Sequence, residues 1–204
     1  MGVQRVSPRL LDLGERFAVL ALYAWLVYRV IDGRGAEFGS FQLLSEGMIV
    51  VFLLFRRPAA AISLRPTDWL LAFAATTAPL LATGGLGEHH LPTRVVTVFW
   101  IFGFLIQTGA KVWLGRNFGL VAARRQLVLG GPYRFVRHPM YLGYLLTHVF
   151  VLGMNPSPMN FVFYAISWGC QIPRLLAEER VLGEDPSYAA YMSDVRWRLF
   201  PGVW

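Results

Sequence analysis

The fold is decided by a long apolar run at residues 93–115, "TRVVTVFWIFGFLIQTGAKVWLG". A helix needs about 20 mostly apolar residues to cross the hydrocarbon core of a bilayer, and this run reaches that length. Its only charged residues are Arg94 and Lys111, one near each end. The whole chain of 204 residues is 55% hydrophobic and 15% charged, whereas a soluble domain has about 25% charged residues. The sequence therefore predicts an integral membrane protein.

Further apolar runs on both sides of this one predict an all-α fold, a polytopic transmembrane helix bundle with five to six membrane segments. The last two runs are joined by the turn "NPSPMN" at 155–160, which predicts a C-terminal helical hairpin. The first arm of this hairpin is short for a full crossing, so it either spans or re-enters the membrane. Besides 93–115, the runs are 16–31, 41–55, 68–83, 139–153 and 159–176.

The basic residues predict how the chain is threaded through the bilayer. Of the 19 Lys and Arg residues, all but Arg29, Arg34 and Arg94 face one side if the N-terminus lies inside. Because cytoplasmic loops carry an excess of Lys and Arg, we expect both termini in the cytoplasm and the chain in the inner, cytoplasmic membrane. The net charge of +7 is spread over these loops, so it predicts contact with membrane lipids and no nucleic-acid partner.

Two features bear on metal binding. The chain has a single cysteine, Cys170, so an internal disulfide is excluded and a thiolate metal cluster is not expected. The pair of histidines in "EHH", residues 88–90, has no further ligand residues close by in the sequence. We therefore expect no metal, and we interpret "GGLG" at 84–87 as a turn because no strand precedes it.

A cationic and aromatic stretch, "GPYRFVRHPMYLG" at 131–143, precedes the fifth apolar run. Proline favours the first turn of a helix, so helix five is predicted to start at Pro139. Its free backbone N–H groups, with Arg137 and a histidine beside them, are typical of an anion site. The alternative is a simple positive flank of a membrane segment, which accounts best for Arg134. The candidate ligand-binding residues here are Tyr133, Arg137, His138, Pro139, Tyr141 and Gly143.

An acidic motif, "RLLAEERVLGEDPSYAAY" at 174–191, follows the sixth apolar run. Arg174 and Glu178 are four residues apart and share a helix face, while Glu179 lies a quarter turn away. A solvated ion pair would explain this spacing, but charges at a membrane boundary favour a functional site. With "KVWLGRNFG" at 111–119, three polar clusters are predicted to converge at the cytoplasmic level. Such a pocket suits a reaction between a water-soluble cofactor and a lipid.

These two motifs resemble those of the isoprenylcysteine carboxyl methyltransferase family and the related phospholipid methyltransferases. The resemblance rests on "GPYRFVRHPMYLG", on "EERVLGEDPSYAAY" further along, and on Pro201, and it extends from Gly115 to the end of the chain. It implies S-adenosylmethionine as the cofactor. We therefore expect one integral membrane domain over 1–204, with a three-span part at 1–92 and a cofactor-binding methyltransferase core at 93–204.

The resemblance also implies roles for individual residues. The expected catalytic residues, which would orient the reacting groups, are Arg137, Arg174 and Glu179. The expected cofactor-binding residues are Tyr133, Arg137, His138, Pro139, Tyr141, Gly143, Glu178 and Glu179.

The acceptor is left open by these residues. The resemblance predicts methyl transfer to a lipophilic acceptor, an isoprenoid or prenylcysteine-like carboxylate or a lipid, at the cytoplasmic membrane face. A carboxylate needs no base and would be aligned by Arg174, whereas a hydroxyl, thiol or amine would require Glu179 or His138 as base. One alternative is a membrane reductase using NADPH, because sterol reductases look similar in the C-terminal half. The other is a non-catalytic membrane protein, a scaffold or a small transporter.

Overall fold

A computed structural model describes residues 7–33, 39–83 and 93–204. Within these residues the chain forms seven α-helices, and each predicted apolar run lies almost wholly in one of the first six. The short helix expected after Pro186 is also present. The interpretations of "GGLG" and "EHH" concern residues outside the described part. The helices are α1 Pro8–Ile31, α2 Gly39–Leu54, α3 Pro66–Leu80, α4 Thr93–Leu114, α5 Pro139–Met154, α6 Pro158–Leu182 and α7 Pro186–Asp194.

Proline marks the first turn of five of these helices, as the residue type favours. Side-chain caps support three of the starts. Ser7 accepts a hydrogen bond from the backbone of Leu10, Ser157 from that of Asn160, and Asp185 from that of Ser187. The predicted start of helix five at Pro139 is confirmed. Local sequence signals therefore define the helix starts around the predicted site.

One helical stretch in the described residues qualifies as a membrane span by length and apolar composition. It is Arg94–Asn117, with 24 residues and a mean hydropathy of 1.6. The apolar stretches Gln42–Leu54 and Pro139–Met154 are shorter. The all-α class is thus observed, and the number of membrane segments stays a prediction.

A two-stranded ribbon was not predicted by the helical pattern of the sequence. β1 Ala61–Ile62 pairs antiparallel with β2 Ala123–Arg124. The backbone N–H groups of Ala60 and Ser63, on either side of β1, donate to the carbonyls of Arg124 and Ala122. These short strands join the α2–α3 connection to the loop after α4. The loop is thereby tied to the N-terminal helices instead of standing free.

Helices α4 and α5 approach closely at Gly143. A β-carbon added to Gly143 would lie 2.5 Å from the backbone nitrogen of Gln107 on α4. On the other side of the contact, a β-carbon on Gly103 would lie 2.8 Å from Leu146 of α5. Small residues at such crossings let helix backbones pack at short range in membrane proteins. Gly143, a candidate ligand-binding residue in the sequence, is therefore closely packed against a neighbouring helix.

Replacing Gly143 by alanine is expected to destabilise the chain by about 1–3 kcal/mol, because the added methyl group overlaps helix backbone that cannot move aside cheaply. Thermal unfolding in detergent measures this loss. The matched control is Gly169→Ala in α6, where nothing lies within 4 Å of the new methyl group. That variant is expected to be neutral or slightly stabilised. Equal unfolding temperatures for the two variants would contradict the close-packing interpretation.

Candidate active site

The two predicted motifs meet through one carboxylate. Glu179 Oε1 lies 3.0 Å from Arg137 Nε and 3.1 Å from His138 Nε2. All three side chains are buried. The turn before α5 and the end of α6 are thus joined by an ion pair from Arg137 and a hydrogen bond from His138. Because these groups are buried, removal of one would leave its partner without compensation for the loss of water.

The C-terminal tail completes this contact, and sequence reasoning missed it. Arg198 Nε donates to Glu179 Oε2 at 2.9 Å. The backbone N–H groups of Arg137 and His138 donate to the carbonyls of Trp197 and Arg198. Residues 197–198 of this aromatic tail thus pair with the turn before α5. Arg198 among aromatic residues was the available signal, and it does not reveal which partner it contacts.

Glu179 remains ionised at neutral pH. Burial opposes its ionisation, but hydrogen bonds from His138 and Arg198 and the charge of Arg137 outweigh burial, so the pKa of Glu179 lies below its usual value. Its carboxylate can therefore hold both Arg137 and His138 in fixed orientations. Its stabilising effect is present above the pKa of an unfolded glutamate and is lost as the pH falls through the lower, folded value.

A cavity, here called the polar cavity, lies beside this contact. It is bounded by the loop after α4, the turn before α5, the end of α6 and α7. Of the predicted residues it is lined by Tyr133, Arg137, His138, Tyr141 and Glu178. Asn117 of the third predicted cluster also lines it, and further lining residues that the sequence did not single out for this role include Arg125, Gln126, Met140, Tyr188 and Tyr191.

The tyrosines of the polar cavity are neutral at physiological pH. Burial raises the pKa of Tyr191 to about 12 and raises the pKa values of Tyr133 and Tyr188 above the usual value. The Tyr191 hydroxyl donates to the carbonyl of Tyr133 at 2.6 Å. The cavity thus offers flat aromatic faces, a cation at Arg137 and an acid at Glu178.

A second cavity, here called the apolar cavity, lies among α1, α2, α3, α5 and α6. Most of its lining is aliphatic or aromatic, including Val19, Leu26, Ile49 and Phe118. Arg174 also lines it. A mostly apolar cavity with a few placed polar groups is the usual form of a site for a hydrophobic small molecule.

The two cavities share one wall, which contains Tyr141, Glu178 and Arg174. Tyr141 and Glu178 line the polar cavity, and the Tyr141 hydroxyl donates to the Glu178 carboxylate. Arg174 Nε lies 3.5 Å from Glu178 Oε1, and its guanidinium lies 5.4 Å from the centre of the Tyr141 ring. The predicted helical neighbours Arg174 and Glu178 thus contact each other, with one on each side of the wall.

The rest of this wall is the non-helical segment 118–121. Its residues alternate, with Phe118 and Leu120 lining the apolar cavity and Gly119 and Val121 lining the polar cavity. Glu15 of α1 holds this segment by accepting hydrogen bonds from the backbone N–H groups of Leu120 and Val121. Sequence reasoning did not identify Glu15, because nothing local indicates a partner 105 residues away.

Glu15 belongs to a buried charge cluster. Its Oε1 lies 3.0 Å from Arg56 Nη1, and both side chains are fully buried. Asp12 Oδ1 lies 2.7 Å from Arg56 Nη2 and 3.1 Å from Arg125 Nη2. The cluster connects α1, the end of α2 and the loop after α4. It therefore fixes the N-terminal helices against the wall of both cavities.

Three residues from the sequence-based clusters lie elsewhere. Gly143 packs against α4, and Pro139 starts α5; neither is among the described residues that line the polar cavity. Lys111, from the third predicted cluster, is buried and binds Ser45 at 2.6 Å and Glu46 at 2.9 Å. Its expected convergence with the other two clusters is wrong, because Lys111 pairs with α2. Asn117 of the same cluster does line the polar cavity.

Comparison with known protein families shows which family the sequence around this site resembles. Residues 95–184 match the model of the isoprenylcysteine carboxyl methyltransferase (ICMT) family. These residues include all of the motif at 131–143 and residues 174–184 of the acidic motif, among them Glu179. The match covers 90 of the 204 residues and agrees with the resemblance that the motifs indicated.

Two relatives from Arabidopsis thaliana are similar to part of the chain. Protein-S-isoprenylcysteine O-methyltransferase A is 28% identical over 121 residues, which are 56% of this chain and 61% of the relative. Protein-S-isoprenylcysteine O-methyltransferase B is 30% identical over 104 residues, which are 48% of this chain and 53% of the relative. The chain thus spans somewhat more than half the length of the curated relatives it matches.

Proposed function

We propose that this chain is an S-adenosylmethionine-dependent methyltransferase that methylates the carboxylate of a lipophilic acceptor. The observation that carries the proposal is the shared wall: a polar cavity built from both family motifs lies against an apolar cavity, with Glu178 and Arg174 in contact between them. The cofactor would occupy the polar cavity and the acceptor the apolar one. The names of the two relatives support an isoprenylcysteine-like acceptor.

The residues of the polar cavity fit the chemistry of this cofactor. S-adenosylmethionine carries a carboxylate, an ammonium and an aromatic base, and it supplies a methyl group on a sulfonium. Arg137 offers paired N–H donors to a carboxylate, Glu178 offers an acceptor to an ammonium, and Tyr133 and Tyr141 offer faces for a flat or cationic group. Glu179 does not line the cavity among the described residues, so its proposed role is to orient Arg137 and His138.

Arg174 is the proposed acceptor-binding residue. It is buried, it lines the apolar cavity, and its hydrogen bonds to Thr76 and Gln171 at 3.3 Å orient its guanidinium. A carboxylate held there is already ionised at neutral pH and needs no base. Alignment of two bound reactants can lower a barrier by about 7–11 kcal/mol, so positioning alone supplies most of the required rate. An acceptor with a proton to lose would instead depend on His138, which lines the polar cavity.

The proposed location is the cytoplasmic face of the membrane, with both termini inside. Exposed apolar side chains on the outer faces of the helices support it, because a soluble monomer rarely shows such large apolar surfaces. On α4 alone these residues are Val95, Val98, Phe99, Ile101, Phe102, Leu105, Val112 and Trp113. The basic residues near the predicted inner ends support the orientation.

Cofactor choice tests the proposal directly. The detergent-purified chain is expected to bind S-adenosylmethionine or its demethylated product in calorimetric titration. It is expected to bind NADPH at least about 100-fold more weakly, because the half-buried acid Glu178 repels the added phosphates. Incubation with methyl-labelled cofactor and N-acetyl-S-farnesylcysteine is expected to give a labelled methyl ester by mass spectrometry. Preference for NADPH would support the reductase alternative, and binding of neither cofactor would support a non-catalytic protein.

A further inference from the structure

The apolar cavity contains a second polar region away from Arg174. His148 of α5 and Glu46 of α2 line this cavity and also the adjoining one enclosed by α2, α4, α5 and α6. Gln42, one turn before Glu46, lines both cavities as well. His148 lies seven residues beyond Tyr141, so this polar region is roughly 10 Å along α5 from the shared wall.

His148 presents a fixed hydrogen-bond donor to the cavity. Trp168 Nε1 donates to His148 Nδ1 at 3.2 Å, so Nδ1 carries the lone pair and the proton of the neutral ring sits on Nε2. The ring is held by Tyr144, whose plane is inclined by 18°, and by Tyr164 at a centroid distance of 5.0 Å. In the described residues, no protein group accepts a hydrogen bond from Nε2.

Glu46 presents a fixed acceptor to the same space. Lys111 Nζ lies 2.9 Å from Glu46 Oε1 and is itself held by Ser45 and by the face of the Tyr144 ring at 4.9 Å. The Glu46 side chain keeps 22% of its surface exposed, and its second oxygen has no partner among the described residues. The Lys111 pairing neutralises the local charge, so this oxygen suits a neutral donor.

A pure hydrocarbon chain in this cavity would leave both groups without partners. Burying an unsatisfied donor or acceptor costs about 1–3 kcal/mol each, and an ionisable residue inside a helix bundle tends to mark a ligand site. A hydroxyl group satisfies both, because it donates one hydrogen bond and accepts another. His148 and Glu46 are thus complementary to a hydroxyl group, and the surrounding aliphatic lining is complementary to the rest of a lipid chain.

We infer that Glu46 and His148 form a hydroxyl-binding subsite, and that the natural acceptor is a hydroxylated lipid acid with its hydroxyl roughly 10 Å from the methylated carboxylate. The inference rests on the proposed methyl transfer in taking the acid of the occupant to lie at Arg174. Glu46 and His148 are specificity-determining residues in this scheme. Neither touches the polar cavity in the described residues.

Two synthetic probes test the subsite. Both are N-acetyl-S-alkylcysteines of equal chain length, and one carries a single hydroxyl roughly 10 Å from the carboxylate in extended form. Isothermal titration of the detergent-purified chain is expected to show the hydroxylated probe binding about tenfold more tightly, as two net hydrogen bonds allow. Equal affinity, weaker binding of the hydroxylated probe, or no binding of it would overturn the inference.

Substitutions at Glu46 and His148 test whether these two residues cause the preference for the hydroxylated probe. Glu46→Gln keeps an oxygen for Lys111 but can place an amide donor in the cavity, and His148→Phe keeps the ring stacking without the donor. Each is expected to reduce the preference to about threefold or less, since one hydrogen bond is lost. The matched control Glu184→Gln changes an exposed acid outside the cavity and is expected to keep the full preference. An undiminished preference in both cavity variants would overturn the assignment.

Methyl-ester formation from the same probes separates this inference from the proposed function. If the hydroxylated probe binds preferentially but neither probe is methylated, the methyltransferase proposal fails and the subsite stands. If both probes are methylated with equal affinity and equal KM, the subsite fails and the methyltransferase proposal stands.

Discussion

Replacing Arg137 by alanine is expected to weaken binding of S-adenosylmethionine by roughly 10- to 100-fold, the loss that follows removal of a charged hydrogen bond. Arg137 lines the polar cavity and is the only arginine of its turn that contacts Glu179 in the described residues. Removing it deletes the proposed cofactor carboxylate ligand and also one partner of Glu179. Calorimetric titration of the purified variant with the cofactor measures the effect.

The variant is expected to remain folded, which keeps the binding result interpretable. The backbone N–H of Arg137 bonds to the Trp197 carbonyl at 2.8 Å independently of the side chain, and His138 and Arg198 still hold Glu179. The matched control is Arg134→Ala, because Arg134 is exposed in the same turn. That control is expected to bind the cofactor normally. Wild-type affinity in the Arg137 variant would remove Arg137 from the cofactor site.

Helices were predictable from the sequence because their signals are local. The apolar runs, the prolines at the first turns and the caps Ser157 and Asp185 all lie within a few residues of the feature they determine. The meeting of Arg137 with Glu179 was predictable for a related reason. Helices α5 and α6 form a hairpin, so the start of one and the end of the other lie at the same level.

Residues whose roles depend on contacts with distant parts of the sequence were assigned less well. Gly143 was expected to line a ligand site, but it packs against the backbone at Gln107. Lysine at 111 looked like one more cation near the inner end of a span, whereas it pairs with Glu46, 65 residues earlier. In each case the residue type was informative, and the identity of the partner depended on how the helices pack.

The N-terminal helices contribute to the site although the family match starts at residue 95. They supply Glu46 to the apolar cavity and Glu15 to the segment 118–121 that separates the two cavities. The division into residues 1–92 and 93–204 is therefore a division of the sequence, while the apolar cavity is lined by residues of both parts. Within the described part of the chain, helices α1, α2 and α3 line the apolar cavity and not the polar cavity. Because the apolar cavity is the proposed acceptor site, the choice of acceptor is expected to depend on the N-terminal part.

Replacing Glu15 by alanine is expected to lower the free energy of unfolding by about 3–5 kcal/mol, because Arg56 keeps only Asp12 as an acidic partner and two buried backbone N–H groups lose their acceptor. Arg56, which is 4% exposed, would lose the carboxylate that lies 3.0 Å from its Nη1. The backbone N–H groups of Leu120 and Val121 would lose their acceptor at the same time. Thermal unfolding in detergent, calibrated by chemical denaturation, measures the change.

Glu15→Gln separates the two contributions, because its amide oxygen still accepts hydrogen bonds from the segment 118–121 but carries no charge for Arg56. It is expected to retain wild-type cofactor affinity once folded, whereas the alanine variant is expected to bind the cofactor more weakly because Gly119 and Val121 lose their support. The exposed control Glu184→Gln should change neither quantity. Wild-type stability in Glu15→Ala would show that the buried cluster does not hold the wall, and the division between the two cavities would then need another support.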